Sequence, residues 1–317
     1  MSIFHLTVRS VSRASGRSAV AAAAYRAGER LTNDRDGRTH DYTNKPVVEA
    51  FILAPPDAPA WSRDRARLWN SVEAAEKRKD AKVAREYELA LPAEVDAAER
   101  RRLAETFGRR LVERYGIAVD VAIHPPSEEG DQRNHHAHLL TTTRAMGPTG
   151  LGAKTRALDV SSTASVEVEA LREAWADLVN QALARANVRE RVDHRSFERQ
   201  GKAIEPTIKL GPIVSAIERR VRAGRGAGAT TQPVTERGRL NALLKEMRSL
   251  TAYVERGRGF LESERKKLIA KAKVLVQSPL TMLRRAASQI EQTDQSVELR
   301  GSLPKNSPPA RSRGIER

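Results

Sequence analysis

The chain has 317 residues, no cysteine and a formal net charge of +16. That length holds one sizeable domain and an extension; the missing cysteine excludes a disulfide framework or a thiolate site and fits a reducing cytoplasm. The charge is uneven: residues 213–317 carry 22 Lys and Arg against 10 Asp and Glu, and residues 1–212 carry 34 against 30, so the basic excess is C-terminal and suits a polyanion, nucleic acid ahead of an acidic membrane surface.

The opening MSIFHLTVRS alternates as a strand, with Phe4, Leu6 and Val8 on one face, and is read as neither a signal nor a transit peptide. No apolar run is long enough to span a bilayer, which predicts no membrane insertion. A small polar turn follows, flanked by Arg9, Arg13 and Arg17, three candidate phosphate contacts or solvated surface arginines. Ser18 caps an alanine-rich helix with Gly28 at its stop. Tyr25 is the one large side chain on it: a core anchor on the residues alone, though its small neighbours also let a bulky, charged backbone come near the phenol.

Short strands are predicted at Thr39–Thr43 and Val47–Leu53, then a charged helix over Trp61–Lys82. In Glu86–Pro92, Tyr87, Leu89 and Leu91 share one face and Glu86 and Glu88 the other. Either acid is a solvated carboxylate or, if its face lines a cleft, a base or a group that holds a metal ligand. Ala93–Tyr115 reads as an amphipathic helix through Leu103, Phe107 and Leu111.

Four of the seven histidines lie in His124–His138. Two strands joined by a Pro- and Gly-containing loop bring His124 at the end of one beside His136 and His138 at the start of the next. Residues two apart on a strand share a face, so these three imidazoles converge into a candidate metal site with open positions. His135 alternates to the other side and stays outside it. Beyond Arg144 the chain loosens through Gly147–Gly152, and Val166–Asn187 is a helix with Leu171, Ala174, Trp175, Leu178 and Leu183 on its apolar side.

The remainder divides as a Gly/Arg-rich linker over 213–235, a basic helical extension over 236–291 and a disordered tail over 292–317. Leu240, Met247, Val254, Leu261 and Leu268 recur every seven residues. The companion position fails at Gly257, Glu264 and Lys271, and Gly257 with Gly259 predicts a break or bend.

Residues 1–212 resemble the MobA/MobL (MobQ-type) plasmid mobilisation relaxases of the HUH endonuclease superfamily. The resemblance lies in MSIFHLTVRS, SAVAAAAYRAGERL, REYELALP, the IH…NHHAHLLTTTR block, REAWADLVNQALARA, DHRSFERQG and LGP, in that order. It implies an α+β fold, a mainly antiparallel sheet of about five strands with helices packed mostly on one face. It also implies a nickase that cuts one DNA strand at a plasmid origin of transfer, keeps the 5′ phosphate on a tyrosine, and later rejoins the strand. Carried over by motif, Tyr25 is the nucleophile, His124, His136 and His138 hold the metal, and Glu86 accepts a proton or positions a ligand. The resemblance favours Mg²⁺ or Mn²⁺, while three histidines alone would suit Zn²⁺. The implied partners are single-stranded origin DNA, relaxosome accessory proteins and a coupling protein, in a bacterial cytoplasm. Such relaxases often place proline where this chain has His135, which leaves that residue's role open.

Three rivals fit the same residues. A hydrolytic metallonuclease would use metal-bound water, with Tyr25 structural. A rolling-circle replication initiator would share the covalent chemistry at another DNA site. A non-catalytic plasmid DNA-binding accessory protein would keep the histidines for structure.

Overall fold

The computed structural model describes residues 4–128, 131–159, 161–202, 204–224 and 232–300. It divides into two compact units, Met1–Ile204 and Glu205–Arg317. The first holds strands β1 (Leu6–Ser12), β2 (Arg30–Thr32), β3 (Thr39–Asp41), β4 (Glu49–Leu53), β5 (Lys82–Ala90), β6 (Val119–His124), β7 (His136–Thr142), β8 (Arg144–Gly147) and β9 (Gly150–Lys154). Its helices are α1 (Ala19–Ala27), α2 (Arg65–Ala75), α3 (Ala97–Tyr115) and α4 (Ser161–Arg185).

Five strands form one antiparallel sheet in the order β1-β5-β7-β6-β4. The histidine-bearing β7 is its central strand. Alternation divides the sheet into two unlike faces. On one, Leu6, Tyr87, Leu89, Val121, Ala137 and Leu139 pack beneath α3 and α4, with Phe107 and Trp175 edge-to-face at 5.4 Å between ring centroids. Gly108 makes the closeness of α3 possible: a Cβ there would stand 2.7 Å from Leu53 Cδ1.

The other face carries Ala84, Asp120 and Leu140 under the shorter α1 and α2, where Val11, Val20, Leu68 and Trp69 complete a second core. Asp120 fastens α2 to the sheet, accepting from Trp69 Nε1 at 2.9 Å and from Arg65 Nε and Nη2 at 2.9 Å each. The expected weighting of helices to one face therefore holds for the two long ones, and the short pair sits opposite. This second core ends partway along the strands. Beyond it lie His136 and His138, half-buried, and His124, buried against the end of α1.

Some expectations need correction. The helix placed over Trp61–Lys82 stops at Ala75, because Lys82–Ala90 is needed as a strand between β1 and β7. The loosened segment after Arg144 is a hairpin, β8–β9, turning tightly at Pro148 and Thr149, with Gly150 at φ +107°.

In the second unit, α5 (Gly211–Gly224) and α6 (Glu236–Arg300) pair. Asn241 exchanges two 2.7 Å hydrogen bonds with the backbone of Ile208. The expected linker over 213–235 is helical as far as Gly224, because Ile213, Ile217 and Val221 repeat every four residues; residues 225–231 lie outside the described residues. The helix runs through Gly257 and Gly259, each costing only about 1 kcal/mol among good helix formers. It also extends to Arg300, into the segment expected to be a disordered tail; residues 301–317 lie outside the described residues. Leu243, Met247, Leu250, Val254, Leu261 and Leu268 are all exposed. No helix among the described residues is long and apolar enough to cross a membrane.

Candidate metal and nucleophile site

The β6–β7 register sets His124 directly opposite His136 and His138 opposite Ala122. The three rings stand 4.9 to 5.3 Å apart between centroids. One ring nitrogen from each lies within 4.8 Å of the others, so modest ring rotations suffice to share one ion at the usual bond length of about 2.1 Å.

Each histidine has one nitrogen engaged by an acceptor. His138 Nδ1 meets Glu86 Oε1 at 2.8 Å, His136 Nδ1 meets the Asn134 carbonyl at 3.0 Å, and His124 Nε2 meets the Arg26 carbonyl at 2.7 Å. These contacts fix the tautomers and leave the second nitrogen of His136 and His138 available as a ligand, while that of His124 faces Lys45 Nζ at 3.4 Å. Burial, reinforced by the charge of Lys45, pushes His124 down to about 3, and burial lowers His136 as well. Both are neutral at pH 7, as metal ligation requires.

Glu86 is buried on β5. Burial by itself would raise its pKa, but the hydrogen bond from His138 and the Arg26 guanidinium hold it down at about 2. Arg26 Nε donates to Oε1 at 2.7 Å, and Arg17 stands 3.7 Å from Oε2. The carboxylate is thus charged at neutral pH and is held between the Arg26 guanidinium and His138 Nδ1.

Helix α1 reaches the cluster from the side. Ser18 Oγ accepts from Ala21 N at 3.1 Å and starts it; Gly28, at φ +67°, ends it. A Cβ on Gly28 would lie 2.9 Å from Val47 Cγ2 and 3.1 Å from Lys45 O, so the glycine also admits the loop that carries Lys45. Nearly all of α1 is buried, but Tyr25 is 47% exposed, which overturns the core-anchor reading. Its ring meets Tyr42 edge-on at 5.1 Å, and Lys45 Nζ sits 3.9 Å from its centroid. The same Nζ lies 3.3 and 3.4 Å from the two ring nitrogens of His124. Burial and the nearby Arg26 charge lower Lys45 to about 8.

Tyr25, Glu86 and the three histidines therefore converge, joined by two residues that sequence reasoning missed. Arg26 carried a weak signal as the neighbour of Tyr25; Lys45, in an ordinary Asn-Lys-Pro turn, carried none. His135 falls outside the cluster, against Leu91, Pro92 and Arg133 in a cavity of about 20 Å³. Arg9 lies on the site face, 3.8 Å from Glu88, and Arg17 lies beside Glu86. Arg13 is a correction. It turns inward, donating to Glu73 Oε2 at 2.5 and 3.0 Å and to the carbonyls of Glu73, Glu76 and Arg78, so it is not available to a phosphate. Its period along the chain matches Arg9 and Arg17, but the bulge at Val11/Ser12 and the short turn after it redirect the backbone.

The MobA/MobL family model matches residues 17–220. The chain belongs to the MobA/MobL family. Among MobA/MobL relatives, mobilization protein MobL of Acidithiobacillus ferridurans is 40% identical over 247 residues, which are 69% of this chain and 65% of that protein. Conjugal transfer protein TraA of Rhizobium radiobacter is 35% identical over 270 residues, 76% of this chain but 24% of its own. The chain thus spans less than two thirds of the length of these curated relatives. A solved structure described as "Molecular Basis of Vancomycin Resistance Transfer in Staphylococcus aureus" is 30% identical with a TM-score of 0.55, covering 61% of this chain and 99% of that one. The sheet and its four helices are thus the architecture of a MobA/MobL protein.

Proposed function

We propose that this MobA/MobL chain is a relaxase that nicks one DNA strand at a plasmid origin of transfer by transesterification, and that residues 1–212 carry the reaction. The observation behind this reading is the bridge formed by Lys45, whose ammonium touches both the Tyr25 ring and His124. It joins a solvent-facing phenol to a three-histidine cluster.

Tyr25 is the nucleophile. Its phenolic oxygen bonds to phosphorus, the P–O3′ bond breaks, the phenol's proton departs and the leaving 3′ oxygen takes one up. The product is a 5′-phosphotyrosine, a diester like the bond it replaces, so rejoining needs no external energy source. A free phenol ionises near pH 10, about three units above neutrality. The phenol must therefore lose its proton as it attacks, and Lys45 Nζ, 3.9 Å from the ring centroid, is the cation set over the ring. Glu86 acts as the positioning group for His138. His124, His136 and His138 would hold a divalent ion, which when bound would supply a Lewis acid for the phosphate; Mg²⁺ or Mn²⁺ is the reading carried from the family resemblance, with Zn²⁺ suited to the donor set.

Residues 213–317 supply sequence-independent DNA affinity through their excess of basic residues. Shortening the chain after Gly224 is expected to preserve oligonucleotide nicking and flatten the salt dependence of binding. Loss of all cleavage would contradict this division.

The decisive assay uses single-stranded oligonucleotides tiled across DNA flanking the chain's own gene, with Mn²⁺ or Mg²⁺, run on denaturing gels. A covalent protein–DNA adduct is expected, abolished by chelation. Tyr25→Phe is expected to lower cleavage by at least about 10³-fold. Normal cutting by Tyr25→Phe without an adduct would instead establish the hydrolytic metallonuclease, and no cutting with any divalent ion the non-catalytic accessory protein.

A further inference from the structure

Helix α6 has two unlike faces in its first five turns. One is taken up within its own unit. Asn241 bonds to the Ile208 backbone, Arg248 donates to the Glu205 carbonyl, and Leu244 and Ala252 on the same side are half-buried. The other carries Leu240, Leu243, Met247, Leu250 and Val254, which are between 41 and 66% exposed. They recur alternately three and four residues apart, the spacing of a coiled-coil seam.

A single apolar side chain on a surface needs no explanation, but an unbroken stripe marks an interface. With Tyr253 beside it, 71% exposed, the stripe offers roughly 600 Å² per copy, against the ~800 Å² that each partner contributes to a standard interface.

The residues bordering the stripe select its occupant. They are Leu244 and Thr251 on one side and Glu246 and Tyr253 on the other. No cation stands among these four, so a phosphate backbone has nothing to grip here, although α6 is basic elsewhere. An acidic partner would meet Glu246. A second copy fits, and in one orientation. Run antiparallel, the seam sets Leu240 against Gly257, Leu243 against Val254 and Met247 against Leu250, each layer occurring twice by symmetry. Leu240 then covers Gly257, where an added Cβ would meet nothing within 4 Å. Glu246 comes beside Tyr253 of the second copy, whose hydroxyl can donate to it. In the same register Leu261 reaches Glu236, the first residue of α6, so the pairing ends before Glu264 and Lys271 enter the seam. A parallel pair would instead set Gly257 against Gly257, Glu264 against Glu264 and Lys271 against Lys271.

We propose that α6 pairs antiparallel with α6 of a second copy over residues 240–257, about a two-fold axis level with Arg248 and Ser249. This interface is independent of the nicking reading. It assigns the broken heptad pattern a purpose: the seam is short because one stretch serves both halves of the pair.

The test is sedimentation velocity on the full chain from about 1 to 100 µM in about 0.5 M NaCl, which removes bound nucleic acid. The mass is expected to pass from 35.1 kDa to twice that value, with a dissociation constant on the order of 10 µM for so small an interface. Met247→Glu and Leu250→Glu are each expected to raise that constant at least about 30-fold by burying an unpaired charge. Both positions face solvent in the single chain, so the far-UV circular dichroism of the variants at about 1 µM is expected to match wild type. Lys245→Ala, a loss of charge off the seam, is expected to leave the constant within about 2-fold of wild type. Orientation is read by disulfide trapping, since the chain has no cysteine of its own. Leu243→Cys mixed with a size-tagged Val254→Cys is expected to give the hybrid dimer under mild oxidation, and neither variant alone to cross-link. Cross-linking of each variant with itself and not with the other means a parallel pair and overturns the register. A monomer across the whole range, association that Leu250→Glu leaves intact, or association seen at low salt alone overturns the interface itself.

Discussion

The two faces of the five-stranded sheet are made from the same strands and differ by a single residue step. On β7, Ala137 and Leu139 face α3 and α4, whereas His136 and His138 face the site. On β5, Tyr87 and Leu89 go one way and Glu86 and Glu88 the other. One face is closed by large apolar side chains. The other is closed by α1 and α2 at one end and left polar at the other, where Arg26, Glu86, Lys45 and three histidines hold one another in place. Stability and chemistry are thereby separated by the pleat: a register slip of one residue would bury the imidazoles and expose the core. The polar end of that face is still packed, and its order comes from hydrogen bonds and ion pairs.

That contrast breaks most easily on the apolar side. Phe107 contacts both Tyr87 and Trp175 edge-on and is fully buried. Phe107→Ala is expected to cost about 3–5 kcal/mol, lowering the melting temperature by roughly 10 °C, while three-histidine metal affinity below the transition stays near wild type. A large loss of metal affinity in the folded variant would mean the faces are coupled. Arg13→Ala is the matching test on the polar side. It strands Glu73, whose Oε1 keeps only the Ala19 amide at 2.6 Å, and is expected to cost at least about 3 kcal/mol. A stable Arg13→Ala protein with weakened DNA binding would restore Arg13 as a phosphate contact.

The histidine cluster was legible in the sequence because a hairpin with HxH at one end fixes both face and proximity. The apolar sides of α3 and α4 were legible for the same kind of reason, since their periodicities match their burial. Arg13 was not, because a bulge and a single short turn decide whether an arginine points inward, and neither has a strong sequence signal. Lys45 was invisible: it reaches the site only because Gly28 lets its loop approach α1 and because β4 pairs with β6. The β8–β9 hairpin was missed because its strands are too short for alternation to register. The linker over 213–235 was read from glycine and arginine content, while the apolar spacing of Ile213, Ile217 and Val221 marked a helix.

Glu86 gives a finer test of how the polar face is held. Glu86→Gln keeps the size and an acceptor oxygen for His138 but removes the charge. It is expected to weaken Mn²⁺ binding by about 10- to 100-fold, the usual effect of removing a carboxylate behind a metal-bound histidine, measured by isothermal titration. If Glu86 were instead the proton acceptor, metal affinity would stay near wild type and the loss would fall on the cleavage rate alone.

The smallest expected effect comes from Arg17, and it separates the two arginines that flank the first turn. Arg17 is partly exposed and 3.7 Å from a carboxylate already paired with Arg26, so deleting it leaves no buried charge alone. Arg17→Ala is expected to change stability by at most about 0.5 kcal/mol and to lower the slope of DNA affinity against salt by about 1. Arg13→Ala is expected to show the reverse, a large change in stability and no change in slope once folded. A shared response from both variants would mean that the turn acts as one charged surface. Opposite responses would show that burial, decided within four residues, assigns one arginine to the fold and the other to the nucleic acid.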